Sequence, residues 1–320
     1  MLIFALDRHD QPLAQAVAEE LDVDLAPHED RGFEDGESKG RPLVDPRGAD
    51  AYVLLGLHGG PETTPHDKLS RLLFFIATLR DHGAARVTAV LPYMAFARKD
   101  RRTQPFDPVS QRYLAQLIEA VGTQQVITLE AHNVAAMQNA FRCPTQHLPV
   151  HAVFGALAAE LQTAGRIVVA SPDPGGVKRA QLWQQDLAQQ LKRPVGFAML
   201  DKRRSEGRSE GATALAGDVR DAVVLLVDDL IATGTTLQRA ALALRAAGAR
   251  RVLACAAHGL FIAPAADTLA DPAIDQVLVS DSVPAFRVPA EGALRDKLRV
   301  LSCVPLLASA MRESHRAWLR

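Results

Sequence analysis

Short apolar runs alternate with segments whose apolar residues recur every three or four positions, and the alternation continues along most of the chain. The runs predict strands over residues 2–6, 51–55, 86–91, 125–129, 166–170, 223–227, 251–256 and 276–279. Helical spacing fills the intervals. One helix begins near Pro12, with Asp10 as a candidate cap and Leu13, Val17 and Leu21 on one face. A second begins near Pro108; Leu114, Leu117, Ile118 and Val121 form its stripe and Gly122 ends it. A third runs from Thr236, with Leu237, Ala241 and Leu244 inward and Gly248 as its stop. Strand and helix in alternation predict an α/β protein with mainly parallel sheets covered on both faces.

The order of elements repeats weakly. A strand at 51–55 leads to His58-Gly59-Gly60-Pro61 and a helix near Lys68, and a strand at 166–170 leads to Ser171-Pro172-Asp173-Pro174-Gly175-Gly176 and a helix near Lys178. Two similar domains in tandem are expected, 1–149 and 150–320, joined near Pro149. Residues 205–217 crowd Gly, Ser, Glu and Arg without periodicity, which predicts a mobile loop.

A length of 320 residues leaves room for both domains. Lys and Arg total 36 against 37 Asp and Glu, a balance that argues against a nucleic-acid-coating protein. The three cysteines are widely separated and form no CxxC pair, which fits a reducing compartment. No apolar run approaches the length of a membrane span. A cytoplasmic protein without nucleic-acid or membrane partners is expected.

The richest chemistry lies at 223–236. An apolar strand ends in Asp228 and Asp229, and a loop of small and hydroxylated residues then leads into a helix. Two carboxylates can accept hydrogen bonds from vicinal hydroxyls or share a magnesium ion with them. The loop and helix start offer backbone N–H groups to a phosphate. A second strand, at 86–91, feeds a basic loop in which Arg98, Lys99, Arg101 and Arg102 could neutralise a polyphosphate, with Tyr93 and Phe96 just upstream. His132 and Asp173 each follow a strand and could ligate Mg²⁺. Asp201-Lys202-Arg203-Arg204 borders the expected mobile loop and could close as a cationic lid. There is no GxxxxGK[ST] motif, so use of ATP calls for another architecture.

In order along the chain, Phe33-Glu34-Asp35-Gly36-Glu37, the segment Pro92 to Asp100, the segment Ser171 to Arg179, Asp201 to Arg204, the block from Gly217-Asp218-Val219 to Thr236, and Cys303-Val304-Pro305-Leu306-Leu307 resemble the ribose-phosphate pyrophosphokinases. The resemblance implies two tandem domains of the type I phosphoribosyltransferase fold. It also implies Mg²⁺-dependent transfer of a diphosphoryl group from ATP to the anomeric oxygen of ribose 5-phosphate. By the same resemblance, Asp228, Asp229, Thr233, Gly234, Thr235 and Thr236 would hold ribose 5-phosphate. Phe33, Asp35, Glu37, Arg98, Lys99, Asp100 and His132 would bind ATP, with the Phe33 turn reaching a neighbouring subunit's site in a homo-oligomer. His132 and Asp173 would serve the metal. Lys202, Arg204 and Arg98 would be catalytic. Two rivals are a catalytically silent regulatory homologue and a phosphoribosyltransferase that consumes the product.

The chain departs from the family pattern in places. Ala232 stands where many members have Asp, and Thr235 where a Gly is usual, which predicts an altered path for that loop because a β-branched residue resists positive φ. Lys99 replaces a Gln, which would add charge near the triphosphate.

Overall fold

A computed structural model describes residues 1–202 and 213–320 of the chain. Arg203, Arg204 and most of the loop expected at 205–217 lie outside the described residues. The chain divides into two compact units, one of Met1–Pro149, Ser282–Pro284 and Cys303–Arg320, the other of Val150–Asp281 and Ala285–Ser302.

In the first unit the strands are β1 (Leu2–Ala5), β2 (His28–Gly32), β3 (Ser38–Pro42), β4 (Asp50–Leu54), β5 (Arg86–Leu91), β6 (Gln125–Leu129) and β7 (Thr145–Leu148). The helices are α1 (Gln11–Glu20), α2 (Pro65–Asp81), α3 (Ser110–Ala120) and α4 (Val134–Ala140). A five-stranded sheet in the order β1-β4-β5-β6-β7 is parallel throughout, while β2 and β3 form a separate antiparallel hairpin. Every residue of β4 is buried, as expected of a central parallel strand covered on both faces. The Thr64–Asp67 capping box starts α2: Thr64 Oγ1 accepts from the Asp67 amide and Asp67 Oδ2 from the Thr64 amide. Two helix details differ from expectation. Asp10 precedes α1 but makes no side-chain cap, because its carboxylate is engaged elsewhere. Leu117 of α3 is 47% exposed, and Leu114, Ala115 and Ile118 carry the buried stripe instead.

The second unit holds α5 (Ala156–Leu161), β8 (Ile167–Ser171), α6 (Val177–Leu191), β9 (Gly196–Lys202), β10 (Thr213–Ala216), β11 (Val223–Ile231), α7 (Thr235–Ala246), β12 (Arg251–Gly259), α8 (Ala265–Leu269), β13 (Gln276–Ser280), α9 (Ala293–Lys297) and β14 (Leu298–Leu301). Among the described residues its seven strands run in the order β10-β9-β8-β11-β12-β13-β14, with the β10–β9 pairing antiparallel and the others parallel. Val224, Leu226, Leu237, Leu244, Val252 and Leu269 belong to the core around that sheet.

The last helix, α10 (Val304–Trp318), groups with the first unit, whereas the sequence reading places it in a domain of residues 150–320. Leu307, Ala308 and Met311 are its buried stripe. Polar contacts fasten its far end: Arg86 reaches both oxygens of Asp50 at 2.7 Å and the Ser314 carbonyl at 3.2 Å, and His315 Nδ1 lies 2.6 Å from Asp50 Oδ2. These partners are remote in sequence, so local periodicity carries no sign of them. No helix among the described residues is long and apolar enough to cross a membrane.

Candidate active site

Pairing of β8 with β11 ends at Ala170 and Leu226, whereas β11 continues to Ile231 alongside β12. From β8 the chain proceeds to β9 on one side, and β11 is added on the other. Such a reversal of strand order opens a crevice at the carboxyl ends of the strands, where α/β sheets bind ligands. Asp228 and Asp229 occupy this end of β11, inside the strand rather than just beyond it as the sequence suggests. Asp229 is buried, Asp228 is partly so, and the Asp229 amide donates to Asp228 Oδ1 at 2.9 Å. Burial, reinforced by the charge of Asp229, pushes the Asp228 carboxyl well above its ordinary range, and the Arg179 guanidinium opposes this only in part. Hydroxyl donors or a cation would relieve the electrostatic cost of ionising this pair.

Beyond the pair, the left-handed conformation falls on Gly234, with φ of +77°, while Thr235 is the first helical residue of α7. The altered path expected from Thr235 is therefore unnecessary: glycine stands where positive φ is needed. Space enforces the same choice, since a Cβ on Gly234 would lie 2.8 Å from Leu269 Cγ. Thr233 Oγ1 lies 3.1 Å from Thr235 Oγ1. No side chain caps α7, so its first-turn N–H groups suit an anion. After β8, Asp173 Oδ1 accepts the Gly176 amide at 3.1 Å and Ser171 Oγ donates to the Asp173 carbonyl at 2.6 Å, folding a tight turn ahead of α6. Lys202 is the last residue of β9, and Arg204 lies outside the described residues.

In the first unit the basic loop divides its cations. Lys99 pairs with Asp107 and donates to Thr103 Oγ1 at 2.9 Å, and Arg102 donates to the Asp107 carbonyl at 3.2 Å. Asp107 also accepts from the amides of Thr103 and Gln104 at 3.0 and 2.9 Å. These donors, the Lys99 ammonium foremost, hold its carboxyl far below the usual range. Arg98 and Arg101 remain exposed. Tyr93 is core at 8% exposure, and Phe96 packs edge-on to His66 with ring centroids 5.0 Å apart. The two aromatics thus brace the loop instead of lining an open pocket. His132 is exposed after β6, and its neighbour Asn133 caps α4 by accepting the Ala136 amide at 3.1 Å. Asn133 Nδ2 also donates to Asp100 Oδ2 at 2.7 Å.

Phe33, Asp35 and Glu37 share the tip of the β2–β3 hairpin, in a segment that by sequence reads as an aromatic and acidic turn, a hairpin or loop. Phe33 and Glu37 close it through a 2.8 Å backbone bond, and Asp35 Oδ1 accepts the Glu37 amide at 3.0 Å. Phe33 is 43% exposed, with the Arg31 guanidinium 5.3 Å from its ring centroid. Arg179, which acts on Asp228, stands in the Ser171–Arg179 segment but is given no role by sequence reasoning. Sequence reasoning also misses a buried set formed by Asp7, Asp10, His58 and Lys68, since burial of charge leaves no local pattern. Among the described residues, no three His, Cys, Asp or Glu side chains converge as a metal cage. Asp173, in the second unit, is half-buried, and His132, in the first, is exposed.

In the second unit the sheet thus carries an acidic pair at its switch point, followed by a helix start without a side-chain cap. The family model for the N-terminal domain of ribose phosphate pyrophosphokinase matches residues 1–122, and that for the phosphoribosyl transferase domain matches residues 146–289. The ribose-phosphate pyrophosphokinase of Caldanaerobacter subterraneus is 34% identical over 303 residues, covering 95% of this chain and 91% of its own. That of Hyphomonas neptunium is 35% identical over 303 residues, covering 94% and 93%. The crystal structure of phosphoribosylpyrophosphate synthetase from Mycobacterium smegmatis superposes with a TM-score of 0.87 at 31% identity, covering 99% of each chain. The chain belongs to the ribose-phosphate pyrophosphokinase family.

Proposed function

We propose that this protein transfers the β,γ-diphosphoryl group of ATP to the anomeric hydroxyl of ribose 5-phosphate, giving phosphoribosyl pyrophosphate and AMP. The observation that carries the reading is the junction of Asp228 and Asp229 with the Gly234 turn and α7, in a chain that matches both family domains. The carboxylates accept the ribose hydroxyls. The 5-phosphate rests on the first turn of α7 and the hydroxyls of Thr233, Thr235 and Thr236. With both ends of the sugar held, the anomeric oxygen is directed at the β-phosphorus. It forms the new P–O bond and its hydroxyl proton is released to water, while the bond from the β-phosphorus to the oxygen shared with the α-phosphorus breaks and AMP leaves. Such chemistry asks mainly for positioning and neutralisation of charge.

Arg98 binds the ATP phosphates, with Asp100 and His132 beside it on the linked loops. Lys99 acts through Asp107, by shaping the loop. Lys202 and Arg204 stabilise the charge that develops at the β-phosphorus. His132 and Asp173 would be the protein contacts for Mg²⁺, which would supply neutralisation of charge on the transferring phosphoryl group. Phe33, Asp35 and Glu37 serve the adenosine of a neighbouring subunit in a homo-oligomer, and the enzyme works in the cytoplasm. The test is AMP release by the purified protein with Mg²⁺ and ATP. It should depend strictly on ribose 5-phosphate; AMP that forms equally without the sugar, or not at all, would refute the reading.

A further inference from the structure

Lys68, in the first turn of α2, is 1% exposed, and its ammonium stands 3.0 Å from the Gly56 carbonyl oxygen, 3.1 Å from Asp7 Oδ2, 3.3 Å from His58 Nε2 and 3.7 Å from Asp10 Oδ2. A cation near a helix N-terminus opposes the helix dipole, and burying it adds desolvation. Two buried carboxylates offset both. The cluster grips one residue from both sides: the Gly56 carbonyl accepts from Lys68, and the Gly56 amide donates to Asp10 Oδ2 at 2.7 Å. A Cβ at Gly56 would meet His58 Cδ2 at 2.8 Å, so the grip requires glycine.

From Gly56 the contacts lead to the basic loop. Past the end of β4, the Leu57 amide donates to the Tyr93 carbonyl at 2.9 Å, which prolongs the β4–β5 ladder to the start of the loop that bears Arg98. His66, two residues before Lys68 on the same helical turn, packs edge-on to Phe96. Phe96 has φ of +62°, a conformation that a non-glycine residue keeps only when its surroundings impose it. Arg98 follows two residues later.

We infer that the buried Asp7–Asp10–His58–Lys68 cluster is a positioning device that seats the first turn of α2 and, through Gly56 and His66, sets the Arg98 loop for ATP. The inference rests on the diphosphokinase reading for its substrate and on geometry alone for its effect on the loop. Lys68 is a positioning residue, not a catalytic one.

Two variants test it. Lys68→Met removes the ammonium and keeps much of the bulk; His66→Ala, at an exposed position, removes only the ring against Phe96. For each, AMP release is followed at varied ATP and at varied ribose 5-phosphate, together with tryptic cleavage at Arg98, Lys99, Arg101 and Arg102. The expected result is a KM for ATP raised about tenfold, an unchanged KM for ribose 5-phosphate, and faster cleavage within 98–102 than elsewhere in the chain. An unchanged KM for ATP and unchanged cleavage would overturn the inference, even if kcat fell, because general destabilisation lowers the active fraction without selecting one substrate. Should Lys68→Met fail to fold, His66→Ala decides alone. Should the wild-type protein release no AMP, the diphosphokinase reading is what fails, and the cleavage rates still decide whether the cluster sets the loop.

Discussion

Asn133 Nδ2 lies 2.7 Å from Asp100 Oδ2, joining the loop after β5 to the loop after β6. One of these loops carries Arg98 and the other His132, so this hydrogen bond links the two loops that bear groups assigned to ATP. Asp100→Ala should raise the KM for ATP by about tenfold, the effect of a small misplacement of binding groups, with little change in melting temperature. Asn133→Ala should do the same and also lose about 1 kcal/mol of stability, because Asn133 caps α4. Steady-state kinetics and denaturant titration of both variants check the pair; equal KM values for ATP in variants and wild type would remove the link from the account.

The Asp228–Asp229 pair predicts a conflict between stability and function. A carboxyl held above its ordinary value binds its proton more tightly in the folded protein than in the unfolded chain. Its contribution to stability is therefore complete below the ordinary value of 3.8 and is lost as pH rises through the folded value. Asp228→Asn should melt higher than the wild type at pH 8, and the difference should shrink on acidification. The same variant should bind ribose 5-phosphate about 10- to 100-fold more weakly, the worth of a hydrogen bond to a charged group at about 1.5–3 kcal/mol. Thermal melts across pH, with and without ribose 5-phosphate, measure both effects.

Arg86 holds α10 against the first unit through Asp50, which is 1% exposed. Removing the guanidinium leaves that carboxylate buried against His315. Arg86→Ala should cost about 3–5 kcal/mol in a urea titration, the usual penalty for breaking a buried pair from one side. Arg86→Lys, which keeps the charge but not the two-pronged contact, should recover only part of it.

The alternation of apolar runs and helical spacing revealed the central strands because those strands are buried on both faces, β4 and β5 most clearly. It missed the β2–β3 hairpin, whose residues are half-buried or exposed, and β7, whose Thr145-Gln146-His147 run is polar. Asp228, Asp229 and the Gly234 turn stood out in the sequence because they are contiguous there. The Lys68 cluster was not, since Asp7, Asp10, His58 and Lys68 meet only when β1, β4 and α2 pack together. Nor could sequence distance show that α10 returns to the first unit, or that Lys99 is engaged by Asp107.

Lys202 closes β9 at the border of the described residues. If its ammonium stabilises charge at the β-phosphorus, Lys202→Ala should lower kcat by about 100-fold or more while leaving both KM values within a small factor. A variant that retained full turnover would take Lys202 out of the mechanism.

The central claim is the route of the diphosphoryl group, and ³¹P NMR of the reacting mixture follows it atom by atom. With protein, Mg²⁺, ATP and ribose 5-phosphate, the resonances of ATP should give way to those of AMP and of a diphosphate ester at the anomeric carbon, in equal amounts and at equal rates. Accumulation of ADP with a singly phosphorylated anomeric position, or no turnover of ATP in the presence of the sugar, would contradict it.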